Sequence, residues 1–155
     1  MTVGRVLFAR PNFLAAALCL AATGCGGGGS DGAGGTASSA PAKFSAIYPL
    51  IFPPKTNARC EFCHSLPANE VSNGKLHVGS DQETAYQALF GQTSVSTRCT
   101  GKTLVVPNEP DKSLFLQKLL PSPPCGNRMP LGGAVLSDDV LEMVRSWIAA
   151  GAKDD

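Results

Sequence analysis

Apolar residues along this chain fall into short helical registers separated by proline, glycine and polar runs, with one exception at the start. From Phe13 to Ala22 the chain is apolar without interruption. That is shorter than the roughly 20 residues a membrane-spanning helix needs. With Arg5 and Arg10 ahead of it, it reads as the core of a secretory signal. Gly26 to Ala42 is dominated by glycine, serine, alanine and threonine, cannot bury apolar surface, and reads as a flexible tether. Its random-coil reach is about 20–25 Å.

Helical patterning begins at Phe44. Ser45 is a candidate cap for a helix carrying Ile47, Tyr48, Leu50 and Ile51, interrupted by Pro53-Pro54. Helix is expected to resume from Lys55 to His64. Leu66 to Ser80 is polar and irregular, with a turn at Asn73-Gly74. Asp81 opens a helix over Gln82–Phe90, with Ala85/Leu89 and Tyr86/Phe90 four apart, and Gly91 stops it. A Ser/Thr-rich loop follows to Val106. Glu109-Pro110-Asp111 starts the next helix, whose Phe115, Leu116, Leu119 and Leu120 form an apolar stripe ended by Pro121, Pro123 and Pro124. The last helix is expected over Ser137–Ala150, with Leu136 and Leu141 as a staple and Leu141, Val144, Trp147 and Ile148 on one face. Gly151 stops it. The pattern predicts an all-α domain from residue 44 to residue 155, with no strand pair.

Charge adds little. The 155 residues carry 13 Lys+Arg against 12 Asp+Glu. Removing Arg5 and Arg10 with a leader leaves eleven basic residues, a balance of −1 that gives no argument for nucleic acid. A single domain of this size has a small core, which a cofactor and a cross-link would help to stabilise.

The cysteines change the picture more. Ala21-Ala22-Thr23-Gly24-Cys25 resembles the bacterial lipobox, although Ala22 stands where that pattern prefers leucine. The likeness implies cleavage before Cys25 and lipid attachment to its sulfur. Cys19, flanked by leucines, would be discarded with the leader. The expected organisation is a signal peptide over 1–24, a lipidated Cys25 and tether over 25–43, then the domain. Gly26 is not aspartate, which by the enterobacterial sorting pattern favours the outer membrane.

Cys60-Glu61-Phe62-Cys63-His64 is the covalent attachment signature of a c-type haem. Residues three apart share a helix face, so both thiols can meet the porphyrin from one side while the histidine ligates iron. Zinc would need two further ligands from His64, His77, Cys99 and Cys125, which lack paired spacing. A thioredoxin-like dithiol would need an alternating βαβ pattern, and a Cys60–Cys63 disulfide leaves His64 without a role. For the second axial position Met129 sits in a loop stiffened by Pro130, whereas Met143 reads as a core residue of the last helix and His77 as an exposed loop residue. Methionine ligation would raise the potential and close the iron to small molecules. Cys99 and Cys125 are the pair left over in an oxidising compartment, so a disulfide between them is the economical reading, worth roughly 3 kcal/mol by loop closure.

The residues now carry a likeness. The domain resembles class I cytochromes c, and more closely the cytochrome c domains of exported lipoproteins of myxobacteria and related bacteria. It is carried by the haem motif, Val105-Val106-Pro107 through Ser113, Lys118-Leu119, Pro124-Cys125-Gly126, Met129-Pro130-x-Gly-Gly133 and Trp147-Ile148-Ala-x-Gly151. Asn108-Glu109 and Pro53-Pro54 depart from the pattern without touching a ligand. The resemblance implies one covalent haem c on Cys60 and Cys63, iron ligation by His64 and Met129, and a Cys99–Cys125 bridge.

The function expected is single-electron transfer in the cell envelope by a membrane-tethered, periplasm-facing monohaem cytochrome that is not itself an enzyme. Its expected partners are redox proteins met through small transient contacts, and the membrane through its lipid. The alternatives are a haem-based sensor or ligand-binding module, or a subunit of an envelope oxidoreductase with an open iron site. Another is a zinc- or disulfide-stapled lipoprotein without haem.

Overall fold

Five α-helices are placed around one aromatic core in a computed structural model that describes residues 40–65 and 76–155. The expected leader, Cys25, all but the end of the expected tether and the expected Asn73-Gly74 turn lie outside the described residues. Helix α1 spans Phe44–Ile51, α2 Cys60–His64, α3 Gln82–Leu89, α4 Leu114–Leu119 and α5 Asp138–Ala149. Among the described residues there are no strands, only two isolated bridges, Phe90–Val105 and Thr93–Thr103, which tie the loop after α3 to itself. No described helix is long and apolar enough to cross a membrane.

In α1 the three-to-four spacing buries Phe44, Ile47 and Ile51 completely and leaves Leu50 exposed. Ser45 lies inside the first turn and does not cap it. The cap comes from the far end of the chain: Asp155 accepts from the Phe44 N–H through Oδ1 at 3.1 Å and from the Ser45 N–H through its carbonyl at 3.0 Å. After Pro53-Pro54 helix resumes only at Cys60, not at Lys55. The Thr56 hydroxyl donates to Pro53 O (2.9 Å) and accepts from the Arg59 N–H (2.8 Å), and Arg59 takes a left-handed φ of 40°.

Helix α3 begins as its sequence predicts, the Asp81 carboxylate accepting from the Thr84 N–H at 2.8 Å. It ends one residue early, and Phe90 turns outward to stack on Tyr86. The helix expected from Glu109 is divided. A 3-10 turn over Pro110–Lys112 precedes α4, and the fully buried Ser113 between them accepts from the Val106 N–H at 2.9 Å and donates to Glu109 O at 3.0 Å. The first donors of α4 are taken by the Thr103 and Leu104 carbonyls.

Helix α5 buries Val144, Trp147 and Ile148 and ends at Gly151 with φ 100°. Ser137 stands at its N-cap without a side-chain bond, and Leu136 and Leu141 both pack on the core. Helix α1 packs on α3 and α5, and α5 also on α4. Phe44 is the hub, with ring centroids 5.0 Å from Trp147, 5.6 Å from Tyr86 and 5.8 Å from Phe52. Two of the three polar aromatics reach the C-terminal segment: Trp147 Nε1–H donates to Lys153 O (2.8 Å) and the Tyr86 hydroxyl to Ala152 O (3.1 Å).

Candidate functional site

Helix α2 is a little over one turn long, so its position depends on what holds it. From α1, Phe52 O accepts the Glu61 N–H at 2.9 Å, and the Tyr48 hydroxyl donates to Glu61 Oε1 at 2.6 Å. Glu61 is only 5% exposed, its carboxylate drawn inward to Tyr48. Burial, and next the bond to Glu61, push the Tyr48 hydroxyl above the ordinary tyrosine range, so it stays a donor. On the outer side Phe62 is exposed, with the Arg59 guanidinium 5.3 Å from its ring centroid.

Cys60 and Cys63 both carry free thiols, three residues apart on this turn. Cys60 packs against the core, and burial pushes its thiol up to about 12, so the sulfur is uncharged at neutral pH. Cys63 is exposed.

His64 is held from the segment beyond. Its Nδ1 lies 3.0 Å from Leu76 O, and its own carbonyl accepts the Val78 N–H at 2.8 Å. A carbonyl only accepts, so Nδ1 must carry the hydrogen. Burial lowers the His64 pKa from its ordinary 6.5, against the opposing effect of the Leu76 bond, so the ring is neutral at pH 7. In that tautomer the lone pair is on Nε2, the arrangement found where a backbone carbonyl orients a metal-ligating histidine.

Met129 sits half-buried against the same core as Cys60. Its loop is sewn to the end of α4: the Met129 N–H donates to Lys118 O at 2.7 Å, Arg128 Nε–H to Leu119 O at 3.0 Å, and Lys118 Nζ to Cys125 O at 3.0 Å and to Asn127 O. The Cys99–Cys125 disulfide, with Cα atoms 5.5 Å apart, anchors the loop four residues before Met129. Beyond it, a Cβ added at Gly133 would stand 3.4 Å from Asn57 O, so the loop passes against the segment leading into α2. The stretch after Met129 thereby lies against the segment that leads into the cysteine–histidine turn.

The other sequence candidates lie elsewhere. Met143 is half-buried in α5 and packs on the core. His77 is exposed and lines an open groove of about 450 Å³ with Leu76, Thr84, Ala88 and Leu104, to which neither cysteine of the motif, His64 nor Met129 contributes. The bridge consumes Cys99 and Cys125, two of the ligands zinc would need. Among the described residues no three His, Cys, Asp or Glu side chains converge as a metal cage.

Compared with protein-family models, with curated proteins and with solved structures, the chain finds no match.

These residues fit a covalently attached haem: two free thiols on one helical turn, a neutral histidine with its tautomer fixed, and a half-buried thioether on an anchored loop. Sequence reasoning missed the Tyr48–Glu61 pair, the Leu76 carbonyl and the Lys118 contacts. The one local signal was Glu61 itself, one residue on from Cys60 and so off the face that the two thiols share.

Proposed function

We propose that this chain is a lipid-tethered monohaem c-type cytochrome that passes single electrons in the cell envelope. The observation that carries the reading is the His64 Nδ1–H bond to Leu76 O at 3.0 Å, which leaves Nε2 as the free lone pair beside two unbridged thiols. When bound, haem supplies a one-electron iron couple.

The chain supplies the rest. Cys60 and Cys63 would hold the group from one face of α2, and Tyr48 and Phe52 fix α2 against α1. His64 offers its Nε2 as a ligand already in the required tautomer. Met129 would offer a thioether from its anchored loop, a soft ligand that would favour the reduced metal and close it to small molecules. The packed aromatic core beneath keeps water from the buried side. The tether and lipid hold the domain near a membrane, where it exchanges electrons with redox proteins through transient contacts.

The test is the absorption spectrum of the mature protein, made in cells able to attach haem c, in both redox states. The proposal expects a haem c spectrum with the weak far-red methionine–iron band, no uptake of carbon monoxide by the reduced protein, and loss of the band in Met129→Ala. Haem with carbon monoxide binding in the wild type would replace the carrier by an open-site sensor or oxidoreductase subunit. Absence of haem would overturn the proposal.

A further inference from the structure

We propose that Lys118 is the positioning residue of Met129, holding the loop that presents its thioether; this rests on the reading of Met129 as an axial ligand. Lys118 meets the loop at both ends of its own residue. Its carbonyl accepts the Met129 N–H at 2.7 Å, and its ammonium donates to the carbonyls of Cys125 at 3.0 Å and Asn127. A lysine bonded to two backbone carbonyls gives up hydration that surface lysines keep. The geometry offsets this by charge-assisted bonds, each stronger than a neutral one.

The surroundings are shaped to the same end. Gly126 adopts φ +60°, turning the chain so that the carbonyls on either side of it reach one ammonium. A Cβ at Gly126 would stand 3.2 Å from Lys118 Nζ, so the ammonium sits close over this turn. Burial, then the nearby Arg98 charge, shift the Lys118 pKa downward. The disulfide fixes only the first residue of the loop. Between it and Met129 the chain is held by Lys118, with Arg128 Nε–H adding a single bond to Leu119 O.

The experiment compares haem-loaded wild type with Lys118→Met, which keeps the stem and removes the ammonium, and with Lys112→Met, which removes an ammonium from a surface pair with Glu109. The clamp predicts that K118M loses most of the methionine–iron band, admits carbon monoxide to the reduced iron, and exchanges its Met129 amide hydrogen about tenfold faster or more. K112M stays like the wild type, and Lys118→Arg recovers part of the band. If K118M fails to fold, Lys118→Gln decides, since its shorter uncharged amide cannot hold both carbonyls and should weaken the band and speed Met129 amide exchange in the same direction. Wild-type band, carbon monoxide exclusion and amide exchange in K118M would overturn the clamp. A wild type without the band would instead refute Met129 ligation. In that case unchanged Met129 exchange in K118M refutes the clamp as well, and faster exchange upholds its hold on the loop.

Discussion

Tyr48→Phe removes one oxygen and little else. The ring contacts of Tyr48 with Phe52, stacked at 5.4 Å between centroids, and with Phe44 at 6.4 Å are available to phenylalanine. What disappears is the 2.6 Å donation to Glu61 Oε1, leaving a carboxylate that is 5% exposed without its side-chain partner. Hydrogen bonds to charged groups contribute about 1.5–3 kcal/mol. Tyr48 is itself only half-buried, so water can partly replace it and the cost should be about 2 kcal/mol, a sizeable part of a typical domain's 5–15 kcal/mol. The assay is urea unfolding of the purified protein, with the midpoint lowered and the slope unchanged. Tyr48→Phe combined with Glu61→Leu removes both polar groups and should recover most of the loss. The pair also has a pH signature. Its folded hydroxyl titrates above the ordinary value of 10.0, so the stabilisation is complete below that value and fades as pH rises beyond it. Tyr48→Phe within 0.5 kcal/mol of wild type, or two single costs that simply add in the double variant, would refute the reasoning.

Three other changes follow from the packing. Cys99→Ser with Cys125→Ser opens a bridge spanning 26 residues and should cost about 3–4 kcal/mol in the chain-entropy model, read as a lowered urea midpoint; an unchanged midpoint would contradict the bridge's role. Trp147→Ala empties the site beside Phe44 and frees Lys153 O, for a loss of about 3–5 kcal/mol by the same assay. Asp81→Ala removes the α3 cap and should lower the melting temperature at pH 7. Because the Thr84 N–H holds the Asp81 carboxyl below its ordinary value of 3.8, the cap persists above that value and fades as pH falls through the lowered one. The gap between variant and wild type should therefore close in acid, and a gap independent of pH would count against the cap.

How much was legible in the sequence depends on how far away the partner lies. Helices α3 and α5 carry their own signals, an Asp81 cap, acidic residues in the first turn of α5, and Gly91 and Gly151 as stops, so a local reading placed them within a residue or so. The cap of α1 could not be read locally because Asp155 supplies it from the other end of the chain. The break at Ser113 was hidden for a similar reason: periodicity sees the stripe from Phe115 onward, not the Val106 and Glu109 backbone groups that draw the hydroxyl inward. Leu50 and Phe90 fit a helical register by spacing, yet each faces out, because the core has Ile47, Ile51, Tyr86 and Leu89 to fill it.

The candidate site divides along the same line. Cys60, Cys63 and His64 are adjacent and form a motif, so the candidate itself is visible in five letters. What orients them is not. Leu76 O and Tyr48 orient the motif's turn, and Lys118 holds the Met129 loop, through contacts that only the folded chain creates; those of Leu76 and Lys118 are backbone carbonyl contacts that no residue type announces.

The decisive measurement is the intact mass of the protein purified from cells able to attach haem c, taken after acid and organic extraction of any loosely held haem. The expected result is one haem retained per chain, absent from Cys60→Ala with Cys63→Ala. A chain carrying no haem, or haem that is extracted from the wild type, would contradict the assignment of Cys60, Cys63 and His64 as a haem c site.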